Sequence, residues 1–446
     1  MEHYRQVADA VAADIAAGRL RPGDRLPPQR AFARRHGLAA STAARVYREL
    51  TRRGLVTGEV GRGTFVRAAV PAAGPPLVEP AGARVDLELN YPVVAGQAER
   101  LAGGLARLLR PDVLEAALRP VPAAGTPGAR AAVASLLARS GWAPDPGDVL
   151  FTGNGRQAIA GAVAALAAAG DRLGVEARTY PVIKGVAARL GVVLVPVEGD
   201  GHGMRPDALA EAHRRAPLAG VYLQPTLHNP TGATMPPPRR AALAETLERL
   251  ALTAVEDAVW AFLREDAPAP LAALAPGRVV LVDSLSKRLA PGLTLGFAVA
   301  PRPLAARIAA ALRSGAWLPT GYALEAAAGW IGDGTVAEVG RAKRADAAAR
   351  QLIVAERLAG AAITTDARSY FCWWDLPEPW RAETFVAAAA RRGIAVTPGA
   401  AFTVGPGAAP SAVRIGLASP PPDVLGRALG ALAEIACAAP EDVLAD

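Results

Sequence analysis

Lys287 is the residue of this chain whose type and position point most directly to chemistry. It lies in the stretch Ser284-Leu285-Ser286-Lys287, which follows the apolar run Val279-Val280-Leu281-Val282-Asp283. Such a run is typical of a buried strand, and α/β sheets carry their ligands just past such strands. The chain uses arginine at almost every basic position and has lysine only at positions 184, 287 and 343. Because an amine can form an imine with an aldehyde and a guanidinium cannot, Lys287 is a candidate covalent attachment point; an ordinary surface lysine is the alternative.

Four further segments carry polar groups at the ends of predicted strands or at the start of a predicted helix. Asp257 ends the apolar run 252–256, and His228-Asn229-Pro230-Thr231-Gly232 follows a short strand-like run. Thr152-Gly153-Asn154-Gly155-Arg156 opens an Ala-rich helix, and Tyr180-Pro181 lies past that helix and the next strand. In this order, with Lys287, the segments resemble the fold-type I aminotransferases, which hold pyridoxal 5′-phosphate (PLP) on a lysine. The resemblance covers roughly residues 86–440.

That resemblance implies a role for each segment, because the aldehyde, pyridine nitrogen, phenolate oxygen and phosphate of PLP each need a distinct partner. Lys287 would form the imine, Asp257 would pair with the pyridinium nitrogen, and Asn229 would hydrogen-bond the phenolate oxygen. The other implied roles are a stack on the ring for Tyr180, phosphate contacts for Gly155, Arg156, Ser284 and Ser286, and a two-point carboxylate contact, to a substrate or effector, for Arg414.

Each of these residues also has an ordinary structural interpretation. A carboxylate at a strand end, such as that of Asp257, can cap a helix or form an ion pair. Asn229 can belong to a plain Asn-Pro turn, and Tyr180 can be a core tyrosine. The helix after Gly153 can be capped simply by Thr152 or Asn154. Arg414 begins a strand-like run and can be structural, so the cofactor roles depend on the combination.

Three positions depart from the family pattern. Thr294 stands seven residues after Lys287, where the family has an arginine that grips the phosphate, and Val259 replaces a tyrosine usual in the regulator branch. Another tyrosine near the cofactor falls at about Pro120. Losing the arginine removes a charge-assisted bond worth roughly 1.5–3 kcal/mol. Either PLP binds more weakly, or another arginine compensates, with Arg156 as the candidate.

The first 67 residues hold nearly all of the formal net charge of +8. They contain 13 arginines and 6 acidic residues, a net charge of +7, whereas the remaining residues contribute +1. A basic module joined to a near-neutral body indicates an anionic macromolecular partner for the module alone. A basic solubilising arm is the alternative, although the periodic apolar pattern of this region argues against disorder.

The order of elements in this basic module is helix, helix-turn-helix and wing. Apolar spacing predicts a helix that stops at Gly18, a second over Gln29–Arg35, and a third that opens at residues 39–42 and ends at Gly54. Strands at 55–57 and 64–66 would flank a Gly-rich tip. The stretches 19–27 (RLRPGDRLP) and 61–66 (GRGTFV) resemble the GntR family of winged-helix regulators.

The GntR resemblance implies binding of double-stranded operator DNA, because the third helix of such modules enters the major groove by its N-terminal residues. Bases or phosphates would be contacted by Ser41, Thr42 and Arg45. Arg30 and Arg62 would contact the DNA backbone, and Gly63 would let the wing approach it closely. Arg48, Arg52 and Arg53 add phosphate contacts or simply form a solvated helix face. Ala40 stands where the family often has Arg or Lys, so base reading rests either on fewer residues or on a thymine methyl against Ala39 or Ala40.

The rest of the chain predicts a linker and an α/β body. Residues 68–85 carry four prolines in 18 residues without periodicity, which indicates an extended, semi-rigid linker. From 86 to 446, short apolar strands alternate with Ala-rich helices, as in a mainly parallel sheet covered on both faces. Segments after about residue 340 resemble the small α+β C-terminal domain of aminotransferases. Two cysteines and an N-terminus without an apolar signal segment predict a cytoplasmic protein.

The whole chain resembles the MocR subgroup of GntR regulators, in which an N-terminal winged helix-turn-helix domain is fused to a fold-type I aminotransferase-like body. The resemblance implies a homodimer that binds PLP and DNA and senses PLP, an amino compound, or both. Two alternatives stay open: an active PLP-dependent aminotransferase with a secondary DNA-binding module, and a DNA-binding protein whose body is only a dimerisation scaffold. The substitutions at Thr294 and Val259 weigh against the first, and the retention of Lys287, Asp257 and Asn229 weighs against the second.

Overall fold

The structure is a computed structural model, and it describes residues 3–16, 19–20, 24–52, 55–59, 63–66, 84–139, 141–405 and 409–440. The chain divides into two compact units, Met1–Leu77 and Val78–Asp446, each of which is described by itself below. Arg62 and residues 68–83 of the predicted linker lie outside the described residues. The expectations stated for them therefore stay predictions.

The N-terminal unit has the predicted winged-helix architecture. Its elements are α1 (His3–Ala16), β1 (Arg25–Leu26), α2 (Gln29–Arg35), α3 (Ala40–Arg52), β2 (Val56–Glu59) and β3 (Gly63–Val66). The inward face predicted for α3 is confirmed, since Ala43, Val46 and Leu50 are fully buried and Tyr47 meets Phe32 of α2 edge-on. Antiparallel pairing gives the strand order β1-β3-β2, with β1 as a third strand that the sequence pattern did not reveal.

The larger unit begins with short elements and then alternates strands with helices. The first elements are β4 (Val85–Asp86), α4 (Gln97–Ala106), α5 (Pro111–Ala117) and α6 (Pro127–Leu137). The next are β5 (Val149–Thr152), α7 (Gly155–Leu166), β6 (Arg172–Glu176), α8 (Pro181–Leu190), β7 (Val193–Val197), β8 (Gly199–Asp200), β9 (Gly203–Met204), α9 (Pro206–Arg215), β10 (Gly220–Leu223) and α10 (Pro237–Arg249). Then follow β11 (Ala254–Asp257), α11 (Leu271–Leu274), β12 (Val279–Ser284), α12 (Leu285–Arg288), β13 (Gly296–Val299), α13 (Arg302–Ser314) and α14 (Gly321–Gly332).

The central sheet of this unit has the strand order β5-β13-β12-β11-β10-β6-β7. Strands β12, β11, β10, β6 and β7 run parallel, and β13 runs antiparallel to both of its neighbours. Successive residues face opposite apolar layers, as Val221 and Leu223 pack into one layer and Tyr222 into the other. Both faces are therefore covered, which confirms the predicted α/β class. The carboxyl ends of β10, β11 and β12 lie side by side, so the residues that follow these strands come close together.

A smaller sheet lies in the C-terminal part of the unit. Its elements are α15 (Thr335–Arg357), β14 (Ala362–Thr364), β15 (Phe371–Asp375), α16 (Ala382–Arg391), β16 (Ile394–Ala395), β17 (Thr397–Pro398), β18 (Ala412–Gly416) and α17 (Pro422–Cys437). The order is β14-β15-β18-β17, and β4 pairs in parallel with β16. Leu87 packs into the same apolar cluster as Trp374 and Phe385, so the first described residues after the linker join the C-terminal part. Within the described ranges, no helix has both the length and the apolar character needed to cross a membrane.

Candidate cofactor site and nucleic-acid interface

Lys287 lies on α12, the short helix that leaves the carboxyl end of β12. The hydroxyl of Ser284 accepts a 3.3 Å hydrogen bond from the backbone N–H of Ser286 and so caps this turn. The Lys287 ammonium donates a 2.6 Å hydrogen bond to the carbonyl of Asn90. Its Nζ lies 4.8 Å from the ring centre of Tyr91 and 5.3 Å from that of Trp260. The amine therefore lies near two aromatic rings, at the end of the sheet where the parallel strands finish.

The surroundings of Lys287 favour its neutral form. Burial, followed by the positive charges of Arg156, Arg414 and Lys343, lowers the pKa of Lys287 from 10.5 to about 7. A neutral amine is the nucleophilic form, and a pKa near neutrality leaves a large fraction of it available. The site thus has the property that attachment of an aldehyde requires, and an ordinary surface lysine does not have it.

Lys343 is a second buried lysine at the same turn. It lies on α15 with no exposed surface, and its Nζ donates hydrogen bonds to the carbonyl of Lys287, at 2.9 Å, and to that of Leu289. Burial lowers the pKa of Lys343 to about 7. The sequence singled out Lys343 only as one of three lysines, and nothing in its neighbourhood along the chain indicated this contact.

Asp257 ends β11, directly beside β12, and is buried. Its Oδ2 accepts hydrogen bonds from the Tyr222 hydroxyl (2.7 Å) and from Nε2 of Gln224 (2.8 Å), and its Oδ1 accepts one from the N–H of Val259 (3.1 Å). Burial raises the pKa of Asp257 to about 6, although these hydrogen bonds act in the opposite direction. At neutral pH the group is therefore mostly a carboxylate, which suits a cationic ring nitrogen.

Asn229 is buried in the turn that follows β10. Its backbone N–H donates a 3.1 Å hydrogen bond to Oε1 of Gln224. Its side-chain Oδ1 is also buried and has no hydrogen-bond partner among the described residues. Buried polar groups are normally paired, so this oxygen is available to a donor on a ligand, whereas the NH₂ group of the same amide is the part that would donate to a phenolate oxygen.

The residues predicted to bind phosphate converge at the start of α7. Asn154 caps this helix by accepting a 3.1 Å hydrogen bond from the N–H of Gln157, the third helical residue, rather than from Gly155 or Arg156. A Cβ atom on Gly155 would lie 2.9 Å from Oγ of Ser284, so only glycine allows this approach. The Ser286 hydroxyl is 2.7 Å from that of Thr294. The N-terminus of α7 and the hydroxyls of Ser284, Ser286 and Thr294 therefore lie close together, an arrangement that suits the binding of an anion.

Arg156 and Tyr180 lie together on the side of the site near Lys287. The positive charge of Arg156 lies near the phenol groups of Tyr180 and Tyr91 and interacts with both. Tyr180 precedes α8, and burial raises the pKa of its hydroxyl. Arg156 therefore lies beside the tyrosine predicted to cover the ring, and its role in place of the missing phosphate arginine stays a prediction.

Arg414 lies in the middle of β18, opposite Trp373 of β15 and Thr397 of β17. Its Nη2 donates hydrogen bonds to the carbonyl of Glu88 (2.6 Å) and to the hydroxyl of Thr397 (3.1 Å). Burial lowers the pKa of Arg414 to about 10. Its Nε is buried and lacks a partner within the described part of the chain, so this guanidinium retains capacity for a carboxylate.

Taken together, these residues fit PLP. The amine of Lys287, the carboxylate of Asp257 and the amide of Asn229 lie at adjacent strand ends, and the hydroxyls of Ser284 and Ser286 lie at a helix N-terminus. Sequence reasoning missed Gln224, Tyr91, Trp260 and Lys343, which contact these groups.

The candidate nucleic-acid interface lies on α2 and α3. Arg30 is an exposed residue of α2, and Ser41 and Arg45 are exposed at the start of α3, with Thr42 half-buried between them. Gly63 opens β3, and Arg62 lies outside the described residues. The exposed N-terminal turns of α3 therefore present the predicted hydroxyls and the guanidinium on one helix.

Comparison with known families assigns both parts of the chain. Residues 117–432 match the family of class I and II aminotransferases, and residues 3–66 match the bacterial regulatory proteins of the gntR family. This combination defines a class of transcriptional regulators with an aminotransferase-like body. The chain belongs to the MocR subgroup of the GntR family.

Two curated relatives illustrate this membership. The chain is 30% identical over 424 residues to the uncharacterized HTH-type transcriptional regulator YdeF of Bacillus subtilis, covering 94% of this chain and 90% of the relative. It is 26% identical over 323 residues to the HTH-type pyridoxine biosynthesis transcriptional regulator PdxR of Corynebacterium glutamicum, covering 71% and 70%. Both relatives are named as regulators.

Solved structures support the fold of the body. The α-aminoadipate aminotransferase LysN of Thermus thermophilus, solved with N-(5′-phosphopyridoxyl)-L-leucine, is similar with a TM-score of 0.71 and 25% identity, over 81% of this chain and 93% of that one. The kynurenine aminotransferase of Pyrococcus horikoshii gives a TM-score of 0.72 at 23% identity, over 79% and 90%. The second likeness shows the fold alone, and the predicted fold-type I body is confirmed.

Proposed function

We propose that this regulator holds PLP on Lys287 and that PLP, alone or joined to an amino compound, changes how the protein binds operator DNA. The observation that carries the proposal is the environment of Lys287, a half-buried amine that bonds the Asn90 carbonyl near the rings of Tyr91 and Trp260. It follows β12, the parallel neighbour of the strand that ends in Asp257, and its pKa is about 7. When bound, PLP supplies an aldehyde for attachment and an electron-withdrawing ring.

Each side chain contributes a separate step of binding. Lys287 presents a neutral amine to the aldehyde, and Asp257 holds a proton at the ring nitrogen. Asn229 hydrogen-bonds the phenolate oxygen, and Tyr180 supports the ring face. Arg414 binds the carboxylate of an amino compound with a two-point contact, and the hydroxyls and N–H groups at the start of α7 bind the phosphate.

A sensing role is favoured over steady turnover by the residues around the phosphate. Thr294 provides a neutral hydroxyl where a charged arginine would bind a dianion more strongly. A site that is saturated at every PLP concentration reports nothing, so weaker binding suits a sensor. Amino-group transfer is the second candidate function, because Lys287, Asp257 and Arg414 are all retained.

The N-terminal unit reads operator DNA in the cytoplasm, and the protein acts as a homodimer. The net charge of +7 in residues 1–67 supports the first statement. The second is supported by exposed apolar side chains on neighbouring elements: Leu109 is 75% exposed, Leu118 is 84% exposed, and Leu114 and Tyr322 are also exposed. These elements adjoin one another, and exposed apolar side chains grouped in this way suit a protein interface.

The test is operator affinity measured in four conditions. A duplex selected from random sequences by the full-length protein is titrated with wild type and with Lys287→Ala, each with and without PLP, at one salt concentration. If PLP is a signal, wild-type affinity changes with PLP and the affinity of Lys287→Ala does not. Equal affinities in all four conditions, with the dimer intact, would remove the sensing role. Release of a keto acid from added amino acids under these conditions would favour the enzymatic alternative.

A further inference from the structure

Gln224 connects two of the groups that the proposed function assigns to PLP. It follows β10, is 2% exposed, and lies between Asp257 and Asn229. Its Nε2 donates a 2.8 Å hydrogen bond to Oδ2 of Asp257, and its Oε1 accepts a 3.1 Å hydrogen bond from the backbone N–H of Asn229. Its own N–H donates to a carboxylate oxygen of Glu176 at 3.1 Å. One amide side chain therefore connects the last residue of β11 with the turn that follows β10.

We propose that Gln224 is a positioning residue that sets the spacing between the carboxylate facing the ring nitrogen of PLP and the residue facing its phenolate oxygen. This inference rests on the proposed function. The two PLP atoms belong to one rigid six-membered ring system, so their partners must be held at a fixed separation. Asp257 ends a strand and Asn229 lies in a turn, and Gln224 is hydrogen-bonded to both.

The chemistry of the amide makes this role specific. The backbone N–H of Asn229 can only donate, so Oε1 must face it, and the NH₂ group must then face Asp257. An apolar side chain makes neither bond. An ionised carboxylate would accept the bond from the N–H of Asn229 but would repel the carboxylate of Asp257. Glutamine is therefore the one standard side chain of this length that satisfies both partners.

The same bond affects the charge on Asp257. The titratable groups that face this carboxylate are Tyr222 from β10, Tyr180 from the start of α8 and Asp283 from β12, with Lys287 on α12 beyond. The hydrogen bonds from Tyr222 and Gln224 favour the carboxylate, whereas burial and the charge of Asp283 disfavour it. Removing the Gln224 bond therefore shifts the protonation of Asp257 to higher pH.

The experiment uses pyridoxamine 5′-phosphate as the probe, because it lacks the aldehyde and its binding is independent of attachment to Lys287. Its affinity for the full-length protein is measured calorimetrically as a function of pH for wild type, Gln224→Met and Gln224→Glu. Gln351→Met is the matched control, since Gln351 is a buried glutamine that instead bonds Thr365 and the carbonyl of Ser369.

For Gln224→Met we expect about a tenfold loss of affinity at neutral pH, the loss typical of a hydrogen bond to a charged group. We also expect the acid limb of the profile, near pH 6 in wild type, to move to higher pH. Gln224→Glu should bind the probe more weakly than wild type, and this difference in affinity should shrink as pH falls, because a protonated glutamic acid again donates a hydrogen bond to Asp257. Gln351→Met should match wild type in both respects.

The outcomes separate this inference from the function on which it rests. If wild type does not bind the probe, the proposed cofactor role itself fails. If wild type binds and both Gln224 variants bind equally well with an unmoved acid limb, the positioning role alone is overturned. If Gln224→Met does not fold, judged by the melting temperature of the cofactor-free protein, the pH-dependent deficit of Gln224→Glu decides the question.

Discussion

The ammonium of Lys343 donates a 2.9 Å hydrogen bond to the main-chain carbonyl of Lys287, so two of the three lysines of the chain meet at one turn. Lys343 also donates to the carbonyl of Leu289, and the Nε2 of Gln97 donates to the same oxygen at 3.2 Å. These bonds hold the exit of α12, and the nearby positive charge helps to lower the pKa of Lys287.

The buried position of Lys343 predicts a particular dependence of stability on pH. Its pKa in the folded protein is about 7, below the ordinary value of 10.5, so between these values the unfolded chain binds more protons than the folded one. Stability therefore rises with pH across this window, by up to ~1.4 kcal/mol for each unit of pKa difference. Lys343→Met should lose this contribution, and urea unfolding of the cofactor-free protein at several pH values measures it.

The control for Lys343 is Lys184→Met, because Lys184 bonds the carbonyls of Ala401 and Thr403 and burial lowers its pKa to a smaller extent. The free energy of unfolding of Lys343→Met should fall further below that of wild type as pH rises from about 7 to 10.5. For Lys184→Met the same difference from wild type should change less with pH. A constant difference between Lys343→Met and wild type over that window would contradict the assignment.

Lys287→Ala should abolish the visible absorbance that develops when PLP is added to the purified protein. The reason is that the side-chain amine, which the structure places between Tyr91 and Trp260, is the proposed attachment point. Lys184→Met should retain the band. Persistence of the band in Lys287→Ala, after removal of free PLP, would show that the cofactor is attached elsewhere.

Thr294→Arg should strengthen PLP binding. The Thr294 hydroxyl lies 2.7 Å from that of Ser286, in the group of residues proposed to bind phosphate, and a charge-assisted bond at this place is worth roughly 1.5–3 kcal/mol, or about tenfold or more in affinity. Thr294→Val is the comparison that removes the hydroxyl without adding charge. Titration with PLP and with pyridoxal, which lacks the phosphate, measures the effect. An equal gain for pyridoxal would show that the arginine acts on something other than phosphate.

Arg45→Ala should weaken DNA binding and reduce its salt dependence. If Arg45 contacts a phosphate, its loss lowers the slope of log affinity against log salt by about one. Arg19→Ala is the control, because the guanidinium of Arg19 is paired with Asp14 at 2.7 Å. Fluorescence anisotropy on a duplex operator, over a range of salt concentrations, gives both the affinity and the slope of log affinity against log salt. An unchanged slope in Arg45→Ala would place Arg45 away from the DNA backbone.

Leu118→Glu should convert the proposed homodimer to a monomer. Leu118 follows α5, whose last residue packs against Gly321 at the start of α14, next to Tyr322. A charge buried in an apolar interface without a partner is strongly unfavourable. Leu352→Glu is the matched control, since Leu352 is 72% exposed on α15. Sedimentation equilibrium measures the mass, and a dimeric Leu118→Glu would exclude this patch as the interface.

The sequence allowed the order of elements and most strand ends to be predicted, because these depend on local periodicity. The inward face of α3 and the turn that carries Lys287 are examples. Contacts between distant segments could not be predicted in this way. Asn90 and Lys287 are 197 positions apart, and no local pattern relates them. The same applies to the parallel pair β4–β16 and to Lys343, whose burial depends on the packing of α15 against α12.

The hydrogen bond between Lys287 and Asn90 links the proposed cofactor lysine to a stretch of chain that lies close in sequence to the N-terminal unit. Val66, the last residue of the wing strand, precedes Asn90 by only 24 positions, whereas Lys287 itself is 221 positions away. Glu88 and Tyr91, in the same stretch, contact Arg414 and Arg156. A ligand that draws the Lys287 amine away leaves the Asn90 carbonyl without this donor, on a stretch of chain that leads straight back to the linker. In the proposed function, a ligand on Lys287 would therefore act on the segment of the body that is nearest in sequence to the linker. A body fragment that starts after Tyr91 would lack the Asn90 carbonyl.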